Sequence, residues 1–327
     1  MKIAFYDTKD YDKIWFEKIL PQYGYEMNYL ESRLNEKTAV LAEGCEAVCL
    51  FVNDILDKKT VEKLYNEGVR AVLMRCAGYD KVDLEACKGK LTVMRVPSYS
   101  PTAVAEYNLA MSLTINRKMH KAYVRTRDYN FKINGLMGTT MKDKTVGLIG
   151  TGKIGKESAR LFNGIGMNVI CYDMYPDTKS GLNYVTLDEI FEKSDLISLH
   201  IPLTEESKHI INKESIAKMK DGVMLVNTSR GGLIDTKALI EAIEHNKFRG
   251  VALDVYEEEG DYFFEDKSDE IIQDDDLIKL MSFPNVLVTS HQAFFTEESM
   301  QAISKVTLDN LKAFEKGEKS GNEVEAK

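Results

Sequence analysis

Directly after the apolar run Thr145–Ile149 the chain reads Gly150-Thr-Gly152-Lys-Ile-Gly155, and Lys156–Phe162 continues with helical spacing. Glycines so placed let a strand turn tightly, let the backbone approach an anion with no Cβ in the way, and let a helix pack closely on the strand. The helix N-terminus then faces the anion. Asp173 ends the next strand-like run, 23 positions after Gly150. An acid there accepts hydrogen bonds from ribose hydroxyls and repels a 2′-phosphate, so the pattern predicts a dinucleotide site for NAD rather than NADP.

Three more residues follow later strand candidates and could meet at such a site. Arg230, in Asn-Thr-Ser-Arg-Gly-Gly, follows Met224–Asn227, and its fork could bind a carboxylate bidentately, with Gly231 and Gly232 leaving room around it. His291 follows Val286–Thr289. An imidazole, with an ordinary pKa of about 6.5, suits reversible proton transfer to an oxygen while a hydride goes to the adjoining carbon. Glu259 lies just beyond the strand-like Gly250–Val255, where a carboxylate would orient the ring and favour the imidazolium. Each of these alone could be an ordinary surface residue. Glu257, Glu258 and Glu259 are consecutive, so the residues leave open whether Glu257 or Glu259 partners the histidine.

Such a set needs sheets to hold it, and short apolar runs alternate with amphipathic stretches from the first residue on, the mark of α/β winding. In the first hundred residues Lys2–Tyr6, Glu26–Tyr29, Ala47–Leu50, Ala71–Arg75 and Thr92–Arg95 read as strands of a flavodoxin-like domain. Ser100 and Pro101 read as N-cap and first residue of a long helix, Thr102–Met119. After a polar, basic segment, Lys118–Asp143, a second series runs through Thr145–Ile149, Asn168–Tyr172, Leu196–His200, Met224–Asn227, Gly250–Val255 and Val286–Thr289. Thr296–Lys316 is helical by periodicity and stands outside that series. The acidic stretch Glu257–Asp276 and the charged tail Glu315–Lys327 read as solvated surface.

Composition narrows the classes. A chain of 327 residues suggests about two domains, and 44% apolar with 29% charged content suits a globular protein. A net charge of 43 − 52 = −9 disfavours nucleic acid and anionic membrane as partners. The five cysteines are odd in number and scattered, fitting neither a disulfide framework nor a metal site, with Cys45 and Cys49 reading as helix neighbours. Neither a signal-peptide core nor an 18-residue apolar run is evident, so a reduced, cytoplasmic setting is expected.

The segments Gly150–Gly155, Asn227-Thr-Ser-Arg-Gly-Gly-Leu-Ile-Asp235, Leu253-Asp-Val-Tyr-Glu-Glu-Glu259 and Ser290-His-Gln-Ala-Phe-Phe295 together resemble the D-2-hydroxyacid dehydrogenase family. Arg75-Cys-Ala-Gly78, Val96-Pro-Ser-Tyr-Ser-Pro101, Asn134-Gly-Leu-Met-Gly138 and Phe263-Phe-Glu-Asp266 are similar to its fermentative, D-lactate-forming branch. The resemblance implies that Arg230, Glu259 and His291 are the substrate-binding arginine, the acid partner and the general acid/base, and family spacing selects Glu259. It implies that Ala77 and Gly78 offer backbone amides to a substrate carboxylate, and that Tyr99 and Phe294 wall in a short side chain. Cofactor contacts are implied for Lys153, Ile154, Asp173, His200, Pro202, Thr228 and Asp254. Tyr79-Asp80 departs from the family pattern and leaves the pocket entrance less defined than its walls.

The implied architecture is a Rossmann NAD domain, 101–296, inserted into a flavodoxin-like substrate domain formed by 1–100 and 297–327. The implied activity is NADH-dependent reduction of pyruvate to D-lactate by a homodimer or homotetramer. Bulkier 2-keto acids such as phenylpyruvate or 2-ketoisocaproate are the alternative substrates. A non-catalytic NAD-sensing adaptor is the rival from another class. No regulatory domain is expected after Lys316, which disfavours a serine-biosynthesis relative.

Overall fold

The computed structural model describes residues 1–326. The chain divides into two compact units, Met1–Ser100 with the segment from Phe295 onward, and Pro101–Phe294.

In the first unit, β1 (Lys2–Phe5), β2 (Glu26–Tyr29), β3 (Ala47–Leu50), β4 (Ala71–Met74) and β5 (Thr92–Arg95) form one parallel sheet in the order β2-β1-β3-β4-β5. This is the flavodoxin-like order, and β3 and β4 are buried along their whole length, as strands covered on both faces must be. Cys49 therefore sits within β3, with Cys45 in the turn before it: the two cysteines do not share a helix face as expected, because the continuous apolar run of four around Cys49 is a buried strand. All five cysteines are free and buried.

The helix Glu297–Glu315 packs on β4, β5 and the helix Asp10–Ile19. Tyr23 and Tyr25 hold it by hydrogen bonds to Asp309 (2.7 Å) and Glu315 (2.9 Å). The tail beyond it is not loose surface, contrary to its charge-based reading. Arg95 donates its N–H to Asn322 O (3.0 Å) and Val324 donates to Val93 O (2.8 Å), so the tail pairs with the edge of β5. The pairing uses the backbone, which composition does not report.

At the C-terminal end of this sheet Arg75 is 1% exposed. Its guanidinium donates to Tyr6 O (3.0 Å), Asp7 O (2.7 Å) and Asp12 Oδ2 (3.2 Å), and stacks near the Phe5 and Phe51 rings. Asp54 accepts from the Leu34 and Phe51 amides, both at 2.6 Å, and burial pushes its carboxyl up to about 6 against the pull of Arg75.

The second unit is a six-stranded parallel sheet of β6 (Thr145–Ile149), β7 (Asn168–Tyr172), β8 (Leu196–Leu199), β9 (Val223–Asn227), β10 (Phe248–Leu253) and β11 (Val286–Val288), in the order β11-β10-β9-β8-β6-β7. Alternate residues feed opposite cores: Ile197, Leu225 and Val251 on one face, Leu196, Met224 and Ala252 on the other. The helices Pro101–Arg117 and Lys153–Gly164 pack together. The order reverses between β6 and β8, which opens a crevice beyond their C-terminal ends. The basic segment contains a helix, Met119–Arg127, and the acidic stretch is anchored by Phe263, 6% exposed in the core.

Candidate active site

The glycine loop leaves β6 at the strand reversal. Gly150 has φ 101°, and a Cβ there would lie 2.5 Å from His200 O, so only glycine allows this turn beside the segment after β8. A Cβ at Gly155 would lie 2.1 Å from Gly150 O, which is the close helix–strand packing the motif implies. Gly152 instead faces open space and caps Lys153–Gly164 with no side-chain bond to the first turn. Backbone donors of Lys153 and Ile154 thus begin a long helix beside an unobstructed backbone, as a pyrophosphate requires.

Asp173 lies just beyond β7. Its Oδ2 accepts from Thr151 N (2.6 Å) and Thr151 Oγ1 (2.9 Å), and its Oδ1 from Tyr175 N (2.9 Å). Partial burial raises its pKa, but these bonds and the Lys156 charge outweigh it, so the carboxyl lies below the ordinary aspartate value. The group stays ionised, with lone pairs left on Oδ1.

Across the crevice, Thr228 Oγ1 accepts from Asn108 Nδ2 (3.2 Å), Asn108 Oδ1 accepts from Ser198 Oγ (3.1 Å), and Ser198 Oγ meets His200 Nε2 (3.0 Å). With Ser198 Oγ donating to Asn108, His200 must donate from Nε2. Burial holds the His200 pKa down, at about 4, so this imidazole is neutral at physiological pH. Pro202 follows, its carbonyl accepting from Ser207 Oγ (2.8 Å). Asn108 and Ser198 carried no sequence signal; they act inside the fold, one on a helix and one mid-strand.

His291 and Glu259 are brought together. Nδ1 of His291 lies 2.6 Å from Glu259 Oε1, and Glu259 Oε2 accepts from Tyr256 N (2.9 Å). The two side chains are 17% and 16% exposed. The Phe264 ring lies against the imidazole, with centroids 5.7 Å apart, although its acidic surroundings had suggested surface. His291 adopts a left-handed φ of 54°. Asp254, expected beside the cofactor, is fully buried and grips the loop that imposes this conformation. It accepts from Thr289 Oγ1 (2.6 Å), Gln292 N (3.0 Å) and Ala293 N (2.8 Å). Burial nevertheless pushes its carboxyl above the ordinary aspartate value.

Arg230 is held through its backbone, with Asn227 Nδ2 donating to its carbonyl (2.8 Å) and its own Nη1 donating to Ser229 O (2.7 Å). The glycines beside it serve a purpose other than the room expected around the guanidinium. A Cβ at Gly231 would lie 2.1 Å from the Tyr256 carbonyl and one at Gly232 would lie 3.0 Å from Leu203, so both permit close loop packing. The Arg230 loop therefore borders the loop that carries Glu259.

Glu257 goes elsewhere, to His209 Nε2 at 2.6 Å. In the first unit, Ala77 and Gly78 follow β4, where the Ala77 carbonyl accepts from Arg95 Nη1 (2.8 Å) and the Gly78 carbonyl from Cys76 Sγ (3.2 Å). Tyr99 lies in the loop after β5 and is half-buried, and Phe294 ends the second unit at 8% exposure.

The second unit is thus a dinucleotide-binding fold with an imidazole–carboxylate pair on its rim, the equipment of a nicotinamide-dependent oxidoreductase. Residues 109–293 match the family model for the NAD-binding domain of D-isomer-specific 2-hydroxyacid dehydrogenases. The chain is 49% identical over 328 residues to the D-lactate dehydrogenase of Escherichia coli K12, covering 99% of this chain and 100% of the relative. The apo-structure of the E. coli D-lactate dehydrogenase superposes with a TM-score of 0.90 over 99% of this chain and 100% of that one, at 46% identity. The pyruvate reductase of Chlamydomonas reinhardtii gives a TM-score of 0.92 at 40% identity, over 98% of both chains. The chain belongs to the D-2-hydroxyacid dehydrogenase family and is an NAD-dependent enzyme.

Proposed function

We propose that the protein is a D-lactate dehydrogenase that reduces pyruvate reversibly with NADH. The observation that carries the reading is the 2.6 Å contact between His291 Nδ1 and Glu259 Oε1. It commits one ring nitrogen to the carboxylate and leaves Nε2 as the atom that exchanges a proton with substrate.

Gly150, Gly152, Lys153, Ile154 and Gly155 would hold the pyrophosphate, Asp173 the ribose hydroxyls, and His200, Pro202 and Thr228 the remaining walls of the cofactor site, with the buried Asp254 acting through the His291 loop it holds. NADH, when bound, supplies a hydride for C2 of the keto acid. His291 Nε2 gives its proton to the C2 oxygen as negative charge develops there, while Glu259 stabilises the imidazolium beforehand and keeps the ring oriented afterwards. Arg230 binds the substrate carboxylate as a planar fork and polarises the carbonyl. Ala77 and Gly78 contribute backbone amides to that carboxylate, and Tyr99 and Phe294 limit the C3 side to a small group. Residues 1–100 with the final helix form the substrate domain in this reading.

The 49% identity to a D-lactate dehydrogenase and the likeness to a pyruvate reductase support pyruvate over bulkier keto acids. A homodimer or homotetramer is supported by exposed apolar side chains within one short stretch of the second unit, where Tyr129, Phe131, Ile133 and Met137 are 72–88% exposed. Five free thiols suit a reducing cytoplasm.

The test is NADH oxidation with pyruvate, phenylpyruvate and 2-ketoisocaproate, with chiral analysis of the product. The expected result is highest kcat/KM for pyruvate and D-lactate as product. His291→Asn is expected to keep NADH affinity and lose about 10²–10⁴-fold in kcat. Preference for a bulkier acid would move the assignment within the family, and absence of turnover with every acid would leave an NAD-sensing adaptor.

A further inference from the structure

The same unit holds a second histidine–carboxylate pair. Glu257 Oε1 meets His209 Nε2 at 2.6 Å, and Glu257 Oε2 accepts from Thr236 Oγ1 at 2.9 Å. One carboxylate therefore ties together three chain segments. His209 belongs to the first, Thr236 to the second, and Glu257 to the third, two residues before Glu259.

The first two segments are already fixed to each other. His209 N donates to Gly232 O (2.9 Å), Ile211 N to Leu233 O (3.0 Å), and Asp235 N back to Ile211 O (2.9 Å). His209 takes a left-handed φ of 53° to point its ring toward Glu257. The second segment begins at Arg230, and Gly231 lies against the Tyr256–Glu257 peptide so closely that no side chain would fit between them. Side chain and backbone of Glu257 are thus both clamped against the strap that carries Arg230.

The energetic scale separates two roles. The His209 and Glu257 side chains are 35% and 23% exposed, and a pair so hydrated contributes only about 0–1 kcal/mol to stability. Placement is a different matter, because a misplacement of about 1 Å in a reacting group can cost roughly 10²-fold in rate. A contact of small energetic value that fixes the segment before Glu259 acts mainly through geometry.

We infer that His209, through Glu257, is a positioning residue that fixes the Glu259 loop against the Arg230 loop and so sets the register of the His291–Glu259 pair with the substrate-binding guanidinium. The inference rests on the roles proposed above for Arg230, Glu259 and His291. It assigns no contact with substrate to His209.

The experiment compares His209→Ala, His209→Gln and Thr236→Val in the full-length protein, with His291→Asn as reference. Glutamine can still donate from Nε2 to Glu257, and valine removes the second tie at constant volume. For His209→Ala the expected result is about a tenfold fall in kcat and a several-fold rise in KM for pyruvate, with NADH affinity within twofold and Tm nearly unchanged. His209→Gln should recover to within about threefold of wild type, and Thr236→Val should fall between them. The inference is overturned if His209→Ala keeps wild-type kcat and KM, if His209→Gln is as impaired as alanine, or if NADH affinity falls in step with kcat. Should alanine fail to fold, the glutamine and valine variants carry the comparison: wild-type kinetics in Thr236→Val would then overturn it. An inactive His291→Asn alongside a fully active His209→Ala rejects only the positioning role, whereas an active His291→Asn rejects the underlying site.

Discussion

Both sheets end, at their C-terminal edges, in a buried aspartate knot, and the two knots are built from different interactions. In the first unit the knot is ionic: Arg75 meets the Asp12 carboxylate in the field of Asp54 and Asp7, with the Phe5 and Phe51 rings near its guanidinium. In the second it is made of dipoles: Asp254 faces two backbone amides and a threonine hydroxyl. The ionic knot pairs the buried Arg75 with Asp12, while Asp7 turns its carboxylate to Lys9 and Arg33. The dipolar knot spends one carboxylate on shaping a loop, and the loop presents His291 at the rim. A buried charge pair is costly to break, while a buried acceptor can be used to aim a neighbour.

The largest expected effect comes from breaking the ionic knot. Arg75→Met leaves Asp12 without its buried partner and should destabilise the first unit by about 3–5 kcal/mol. The only tryptophan, Trp15, lies in that unit, so its fluorescence in urea reads the loss directly. NADH affinity should be little changed. A variant as stable as wild type would show that the inward charges are not what closes this sheet.

Asp254→Asn tests the other knot. The amide group must face one of the donors that the carboxylate accepted, at a cost of about 1–3 kcal/mol. The loop carrying His291 loses its aim, so kcat should fall by roughly 10²-fold, a larger change than the loss of stability alone implies. Unchanged kcat would reduce Asp254 to packing.

A pH effect comes next. His200 has its pKa held at about 4 by burial, against about 6.5 in an unfolded chain. Above pH 6.5 both states are neutral and the full stability is present. Between pH 6.5 and 4 the unfolded chain takes up a proton that the folded one refuses, so stability is lost as pH falls. His200→Gln should flatten that window by about 1–3 kcal/mol in urea titrations at pH 7, 5.5 and 4.5. An identical slope in wild type and variant would place the titrating group elsewhere.

The smallest effect is expected at Asp173. Asp173→Asn removes the charge that disfavours a 2′-phosphate and should shift the NADH/NADPH preference by about tenfold, measured as a ratio of kcat/KM values. A constant ratio would mean that discrimination comes from the surrounding loop.

These expectations also mark what the sequence made legible. The glycine loop could be read because its demands are backbone demands: a left-handed φ at Gly150 and no room for a Cβ at Gly155 admit almost nothing but glycine. The strands could be read because they are short, apolar and bounded by turns. Only family spacing separated Glu259 from Glu257, since glutamates two positions apart in a tight turn leave in different directions and each finds its own histidine. His209 lies 48 positions from its partner, in a left-handed conformation that its residue type does not announce. Phe264 was hidden by acidic neighbours, and the tail by a pairing with β5 that involves no side chain. Local pattern reports what a segment prefers by itself, and these contacts are set by where other segments arrive.

The helix Glu297–Glu315 and the tail after it complete the first sheet, yet they are translated only after the whole of Pro101–Phe294. At about 5–20 residues per second that is a delay of roughly 10 to 40 s on the ribosome. During it the nascent N-terminal segment lacks the cover on β4 and the partner for the edge of β5, while the middle of the chain already holds everything its own sheet needs. The inserted unit is thus the one able to complete its sheet first, and the N-terminal segment completes its own only when the helix Glu297–Glu315 and the tail emerge.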